Sequence, residues 1–321
     1  MMNQVPGNPF TQQKSLLAGQ SYVELDKKVL VVKGADRLTW LNDILSQKLD
    51  VLAPGDSTEA LWLDVQGRVL RDFHIVATND ALLLITFGQG FEDLINAFKR
   101  LIFRSQVEIT VLEGYKVFGT LQKPLVESSY VWKDSWPKVS LGGYRYSKVS
   151  GSDWTYFESV AVSKPELLEA SLESLESLRI AAFRPTGPNE IDEKTIPHEL
   201  DWLTTAVHLD KGCYRGQETV AKVHNLGAPP RRLVFLHLDG SGHLIPERGA
   251  KILSSDQVGV ITSVASHYEM GPIALGLVKR NLKELTVQVE LADGSLVSAA
   301  LEEIVPPDAG GVVDLGEFRK R

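Results

Sequence analysis

The sequence predicts an α+β chain, with two mixed units of helix and strand followed by a small C-terminal β-barrel. Three observations point to it. Before residue 228, stretches with the apolar period of a helix alternate with β-prone runs. After the breaker segment Gly227-Ala228-Pro229-Pro230, only short β-prone runs remain, separated by turns at Gly249, Gly259, Gly271 and Gly294. Finally, 321 residues of 43% apolar composition exceed one typical domain and supply more than one core.

The elements follow in order. Residues 1–19 are polar, rich in Gln and without period, and read as a flexible arm. The first unit, 20–114, opens a helix behind Asp36, with Leu38, Leu41, Ile44 and Leu45 at helical spacing. The runs Glu59 to Val65, Val69 to Ala77 and Leu82 to Phe87 form an expected antiparallel meander. Phe91, Leu94, Ile95, Phe98, Leu101 and Ile102 then mark one helix face, before a strand over Val107 to Leu112. The second unit, 115–228, has an irregular stretch around Trp132 to Gly151 and a strand at Thr155 to Val162. A helix is expected from Pro165, with Leu167, Leu168, Leu172, Leu175 and Leu178 inward. The barrel is assigned to 229–306, and 307–321 is a polar tail.

Charge and cysteine count narrow the function. A formal charge of −7 gives no footprint for non-specific nucleic-acid or anionic-membrane binding. No apolar run approaches the roughly 20 residues of a membrane span, and the start lacks the pattern of a secretory signal. The single cysteine excludes an internal disulfide and suits a reducing compartment, so a cytoplasmic protein is expected. Seven histidines without paired spacing give no protein-built zinc site.

Chemistry concentrates between Ala182 and Glu218, a loop-rich stretch dense in ionisable groups, and above all in Lys211-Gly212-Cys213-Tyr214-Arg215-Gly216-Gln217-Glu218. Gly212 and Gly216 permit unusual backbone angles or a close ligand approach, and Lys211 brings a positive charge that favours a thiolate at Cys213. Such a thiolate serves as a nucleophile, a redox switch or a ligand to a soft metal, and the residues alone leave the three open. Gln217 and Glu218 add groups that pair with a heterocycle edge or a basic side chain. The ordinary reading is a small buried cysteine in a tight turn. His208 and His224 flank the cysteine, yet a catalytic Cys-His pair depends on spatial placement.

The eight residues from Lys211 to Glu218 resemble the signature of the YgfZ-type folate-binding proteins, relatives of the glycine cleavage aminomethyltransferase (T-protein). Leu178-Arg179-Ile180, Pro185, Gly187, Pro188, Glu190, Asp192 and Ile196-Pro197-His198-Glu199 are similar to the segment preceding that signature. Leu63 to Phe73 resembles the family's strand-turn-strand, while Gly259 to Ser263 and Ile273 to Gly276 resemble its barrel. The likeness covers about residues 25 to 305. Two positions depart from it: Phe183 stands where glycine is usual, and Lys222 where arginine is common.

The resemblance implies a T-protein-like ring of two α+β subdomains and a barrel, with tetrahydrofolate in its central opening. Such a ligand asks for a carboxylate, stacking surfaces and a cation, which Glu199, Tyr214 and Arg232 offer. Their ordinary readings are a charge at a helix start, core packing and a salt bridge at the barrel entry. The implied role is assembly or repair of iron-sulfur (4Fe-4S) proteins, including radical enzymes that modify tRNA. Cys213 is then the key thiol, and any cluster is shared with a client or carrier protein, since one thiol alone cannot hold it. The alternative is a folate-dependent aminomethyl or one-carbon transferase with Asp72 as acid-base group. Against it, Arg71 stands where those enzymes carry an acid. A third reading is a folate-binding regulatory module that does not need the thiol.

Overall fold

The computed structural model describes residues 7–148, 151, 153–242 and 244–312. The first six residues of the expected arm, part of the irregular stretch near Gly151 and most of the expected tail lie outside them. In chain order the elements are α1 (Pro9–Leu17), β1 (Ser21–Leu25), β2 (Lys27–Lys33), α2 (Arg37–Ile44), β3 (Ser57–Leu63), β4 (Val69–Ala77), β5 (Ala81–Phe87), α3 (Phe91–Arg100), β6 (Glu108–Val111), β7 (Lys116–Leu121), β8 (Tyr130–Lys133), β9 (Tyr156–Ala161) and β10 (Leu168–Glu169). There follow α4 (Leu172–Ala181), α5 (Gly187–Glu190), a 3-10 turn (Pro197–Leu200), α6 (Gln217–Leu226), and β11 (Arg231–Leu238), β12 (Lys251–Leu253), β13 (Gln257–His267), β14 (Gly271–Lys279), β15 (Thr286–Glu290) and β16 (Leu296–Glu303).

The expected meander forms: one five-stranded sheet has the order β3-β4-β5-β2-β6. Its helix α3 buries Phe91, Leu94, Ile95 and Phe98 on the predicted face, with Glu92 and Asp93 in its first turn and Lys99 and Arg100 in its last. That charge order complements the helix dipole. α2 forms where periodicity places it, but Asp36 does not cap it. The Asp36 carboxylate instead accepts the Gln106 N–H at 2.7 Å, because the turn before β6 has an unpaired donor within reach.

The second sheet, β10-β1-β7-β9-β8, takes β1 from the start of the chain, so the span 20–114 does not stay within one sheet. The helix expected from Pro165 begins only at Leu172. Leu168 and Glu169 pair in parallel with Ser21 and Tyr22, and Ala170 N–H continues the pairing onto Tyr22 C=O. Ser171 then caps α4, accepting the Ser174 N–H at 3.2 Å. Within the segment expected to be a flexible arm, α1 is an ordered helix that packs on α4. Pro sits in its first turn, Asn8 caps it, and buried Gln13 bonds the barrel backbone at Ser266 and Tyr268.

Strands β11-β14-β13-β12-β15-β16 close a barrel, as the Gly-punctuated C-terminal runs predict. Val234, Leu236, Ile252, Ile261, Val278, Val287 and Val289 fill it. Phe183 keeps a left-handed backbone, φ 58°, with a bulky side chain where the resembling proteins have glycine. Its ring packs 5.0 Å from that of Phe235, so contact with the barrel offsets the strain.

Asp201 follows the 3-10 turn, also with positive φ, and accepts the N–H groups of Tyr146 at 2.8 Å and Ser147 at 3.4 Å. Burial, opposed by those donors, pushes its pKa up to about 7. The unfolded carboxyl titrates near 3.9, so the folded state binds the extra proton between these values. Stability should therefore decline as pH rises from about 4 through 7. Denaturant titrations across that window should show the decline in the unmodified chain and a flatter profile for Asp201→Asn.

Candidate functional site

The signature loop runs into α6, whose N-cap Gly216 has φ 86°. A Cβ there would lie 2.6 Å from Asp64 C=O and 2.9 Å from the Cα of Gly67, so the loop and the β3–β4 turn approach closely enough to demand glycine. Gly212 carries no such demand, since nothing lies within 4 Å of a Cβ built on it.

Lys211 reaches the first unit. Its ammonium donates to the backbone carbonyls of Asn42, Leu45 at 2.6 Å and Gln47 at 3.0 Å, around the C-terminal end of α2. That end presents carbonyls without helical partners, which a buried cation satisfies. Burial pulls the Lys211 pKa down to about 8, with Asp43 and Asp50 opposing. The ring of Tyr214 lies 5.0 Å from the ammonium and is buried, and burial raises its phenol pKa. Gln217 donates to Lys211 C=O at 3.1 Å, closing the loop on itself. What the loop leaves to solvent is Cys213, a free thiol, with Arg215 and Glu218 beside it in sequence and also exposed. Both flanking imidazoles take other partners: His208 Nδ1 meets Asp210 N–H at 3.2 Å, and His224 Nδ1 meets the Tyr146 hydroxyl at 2.9 Å.

None of Glu199, Tyr214 and Arg232 lines the charged cavity between the sheets, and Glu199 and Arg232 are engaged with structural partners. Buried Glu199 accepts the Ile196 N–H at 3.2 Å and three donors of Arg231, the closest at 2.8 Å, so its ordinary reading as a charge at a turn start describes it. Arg232 closes one end of the barrel, donating to Leu282 C=O at 2.9 Å and Val305 C=O at 3.3 Å and pairing with Glu303 at 3.3 Å.

A different set of residues lines a central cavity between the two sheets and α4: Lys27, His74, Asp134, Glu158, Arg179 and Arg184, with Phe87, Trp154 and Tyr156 as aromatic wall. No residue of the 211–218 signature lines it. Its charges are cross-linked. Lys27 meets Glu158 at 2.5 Å, and His74 Nδ1 meets the other Glu158 oxygen at 2.8 Å while its ring stacks on Trp132 at 3.6 Å. Arg184 bridges Glu59 at 2.8 Å and Asp134 at 2.9 Å, and Trp154 Nε1 donates to Asp134 at 2.7 Å. Burial disfavours a charged Glu158, but His74 and Lys27 outweigh it and hold the carboxyl down at about 2. One donor of this set is left over: Arg184 Nη1 is buried without a partner among the described residues.

Sequence reasoning missed this set. A signal was present, because Glu158 is a lone charge inside the run Tyr156–Ala161, all six of which are buried. His74 likewise interrupts the apolar Phe73 and Ile75 of β4.

Asp72 lines a neighbouring cavity that shares Phe87 with the central one. It is buried, and among the described residues its carboxylate accepts Gly187 N–H alone, at 3.4 Å. A Cβ on Gly187 would fall 2.1 Å from it. Arg71 lines the same cavity but is pinned to Phe87 C=O at 2.8 Å and Gln89 C=O at 2.5 Å. Among the described residues no group of three or more His, Cys, Asp or Glu is placed to hold a metal ion, and no helix is long and apolar enough to cross a membrane.

One antiparallel and one mixed five-stranded sheet and a closed barrel make up a fold similar to that of the glycine cleavage T-protein. The aminomethyltransferase T of the glycine cleavage system from Bartonella henselae superposes with a TM-score of 0.72 over 94% of this chain and 90% of that one, at 16% identity. Residues 231–304 match the glycine cleavage T-protein C-terminal barrel domain. In sequence the chain is similar to YgfZ-type proteins. It is 26% identical to the tRNA-modifying protein YgfZ of Aliivibrio fischeri strain MJ11, over 81% of this chain and 85% of that protein. It is also 25% identical to a putative chloroplastic transferase of Arabidopsis thaliana, over 85% of this chain and 68% of that protein.

The geometry separates the two signature glycines. Gly216→Ala, combining a left-handed backbone with a clash, should cost on the order of 2–3 kcal/mol in urea unfolding. Gly212→Ala should stay within about 0.5 kcal/mol.

Proposed function

We propose that the chain is a cytoplasmic tetrahydrofolate-binding factor supporting assembly or repair of iron-sulfur proteins, among them radical enzymes that modify tRNA, with Cys213 as the working thiol. The observation that carries the folate reading is the central cavity. Its lining offers the groups that the edge of a pterin meets: an aromatic wall, carboxylates, guanidinium groups and, in Arg184 Nη1, a buried donor lacking an acceptor among the described residues, around a space of about 60 Å³. In this reading Arg184 and Glu158 meet the polar edge of the pterin, Phe87, Trp154 and Tyr156 supply ring contacts, and Arg179 supplies positive charge for the glutamate arm. Bound folate brings one-carbon and reducing chemistry. The protein binds and orients it.

The thiol reading rests on different residues. Cys213 is exposed while the residues around it are anchored, which suits encounter with a protein that carries or needs a cluster. The YgfZ relatives named as tRNA-modifying proteins support the same direction.

Isothermal titration with 5-formyltetrahydrofolate tests the cavity. The unmodified chain should bind, and Glu158→Gln, which keeps the shape and removes the charge, should bind about tenfold or more weakly, a loss of about 1.4 kcal/mol. Unchanged affinity in the variant removes Glu158 from the site. In cells lacking the protein, Cys213→Ala should fail to restore cluster-dependent enzyme activity, whereas full restoration would leave a folate-binding regulatory module.

Asp72 keeps a one-carbon transfer reading alive, because its weakly bonded buried carboxylate lines a cavity adjoining the central one through Phe87. Tetrahydrofolate-dependent ammonia release from an aminomethyl-lipoyl carrier, abolished by Asp72→Asn, would favour it over the accessory role.

A further inference from the structure

We infer that Lys211 is a positioning residue for Cys213, acting as a tether from the signature loop to the carboxyl end of α2 and not as the charge that activates the thiol. The inference rests on the reading that Cys213 is the working thiol. Sequence spacing alone suggests the opposite, since a lysine two residues from a cysteine is the usual picture of an electrostatic activator.

The geometry points elsewhere. The Lys211 side chain is directed away from solvent, with its residue only 5% exposed, whereas Cys213 is exposed. All three ammonium donors have backbone acceptors, at Asn42, Leu45 and Gln47. An ammonium has three donors, so its hydrogen-bonding capacity is used in full on the first unit. The rest of the loop completes a clamp. Gly216 abuts the β3–β4 turn and Gln217 bonds back onto Lys211 C=O. The loop is thus held at both ends against elements of the first unit, and Cys213 lies between the two anchors.

The acceptors add a second consequence. Residues 42–47 are the end of α2 and the turn after it, and Ser46 in that turn bonds Leu61 N–H of β3 and Ala206 C=O. The position of the thiol is therefore set by the α2–β3 connection, 160 or more residues away in sequence.

Because the chain has one cysteine, a nitroxide attached at Cys213 reports this loop alone. Lys211→Met keeps the aliphatic stem and removes the tether. Its label should tumble at least about threefold faster than in the unmodified chain, as expected of a loop freed from its anchor. In the unlabelled proteins, thiolate absorbance at 240 nm should titrate at the same midpoint with and without Lys211. Unchanged label mobility overturns the inference. So does an upward shift of the thiolate midpoint in Lys211→Met, which is the signature of an activating charge. Should that variant fold poorly, the unmodified chain still answers: a spectrum selective for lysine Nζ should show a protected ammonium besides that of Lys27, which is buried against Glu158, and absence of that second signal would contradict the tether. None of these outcomes depends on cluster activity, so loss of the thiol reading through Cys213→Ala remains a separate result.

Discussion

The buried charge network between the two sheets is the constraint on which the rest of this structure depends. Glu59 and His74 come from the first sheet and Glu158 from the second, with Lys27 on β2 and Arg184 after α4 closing the set. Ions taken from water cost several kcal/mol each, and only close pairing with further hydrogen bonds repays it. Here the pairing is close, and Thr205 and Tyr156 add bonds to Glu59 and Glu158 at 2.5 Å and 3.2 Å. Removing one partner leaves the others buried and uncompensated, so the network fixes the relative placement of the sheets. Replacing buried ion pairs by apolar residues of similar volume is often neutral or stabilising, so the pairing is not by itself a source of extra stability. Lys27, His74, Glu158 and Arg184 of this network also line the central cavity.

The signature loop is a second device built on the same principle. Most of its named residues serve its shape: Lys211 satisfies the end of α2, Gly216 admits the β3–β4 turn, Gln217 closes the loop and Tyr214 packs beneath it. Only Cys213 and its exposed neighbours are left for chemistry. A dense motif does not assign a catalytic role to each member.

This bears on what the sequence could disclose. Local pattern located the meander, the α3 face and the barrel, because each buries one face at a fixed period. It failed where a distant partner overrode it. Leu168 and Glu169 look helical but pair with β1, Asp36 looks like a cap but serves Gln106, and α1 is ordered through contacts with α4 and the barrel. The thiol was legible as a motif, whereas the cavity residues come from β2, β4, β9 and the segments around α4, and no local spacing links them. Polar groups inside apolar strands, at Glu158 and His74, were the visible traces.

In the proposed function, the charge network between the sheets doubles as the folate-binding surface. Hydrogen exchange with and without 5-formyltetrahydrofolate tests it most directly, since ligation stabilises the segments a ligand touches. The account predicts new protection in β4 around His74, β9 around Glu158 and the segment following α4 through Thr186. Protection confined to Glu199, Tyr214 and the start of β11, with those three segments unchanged, would contradict it.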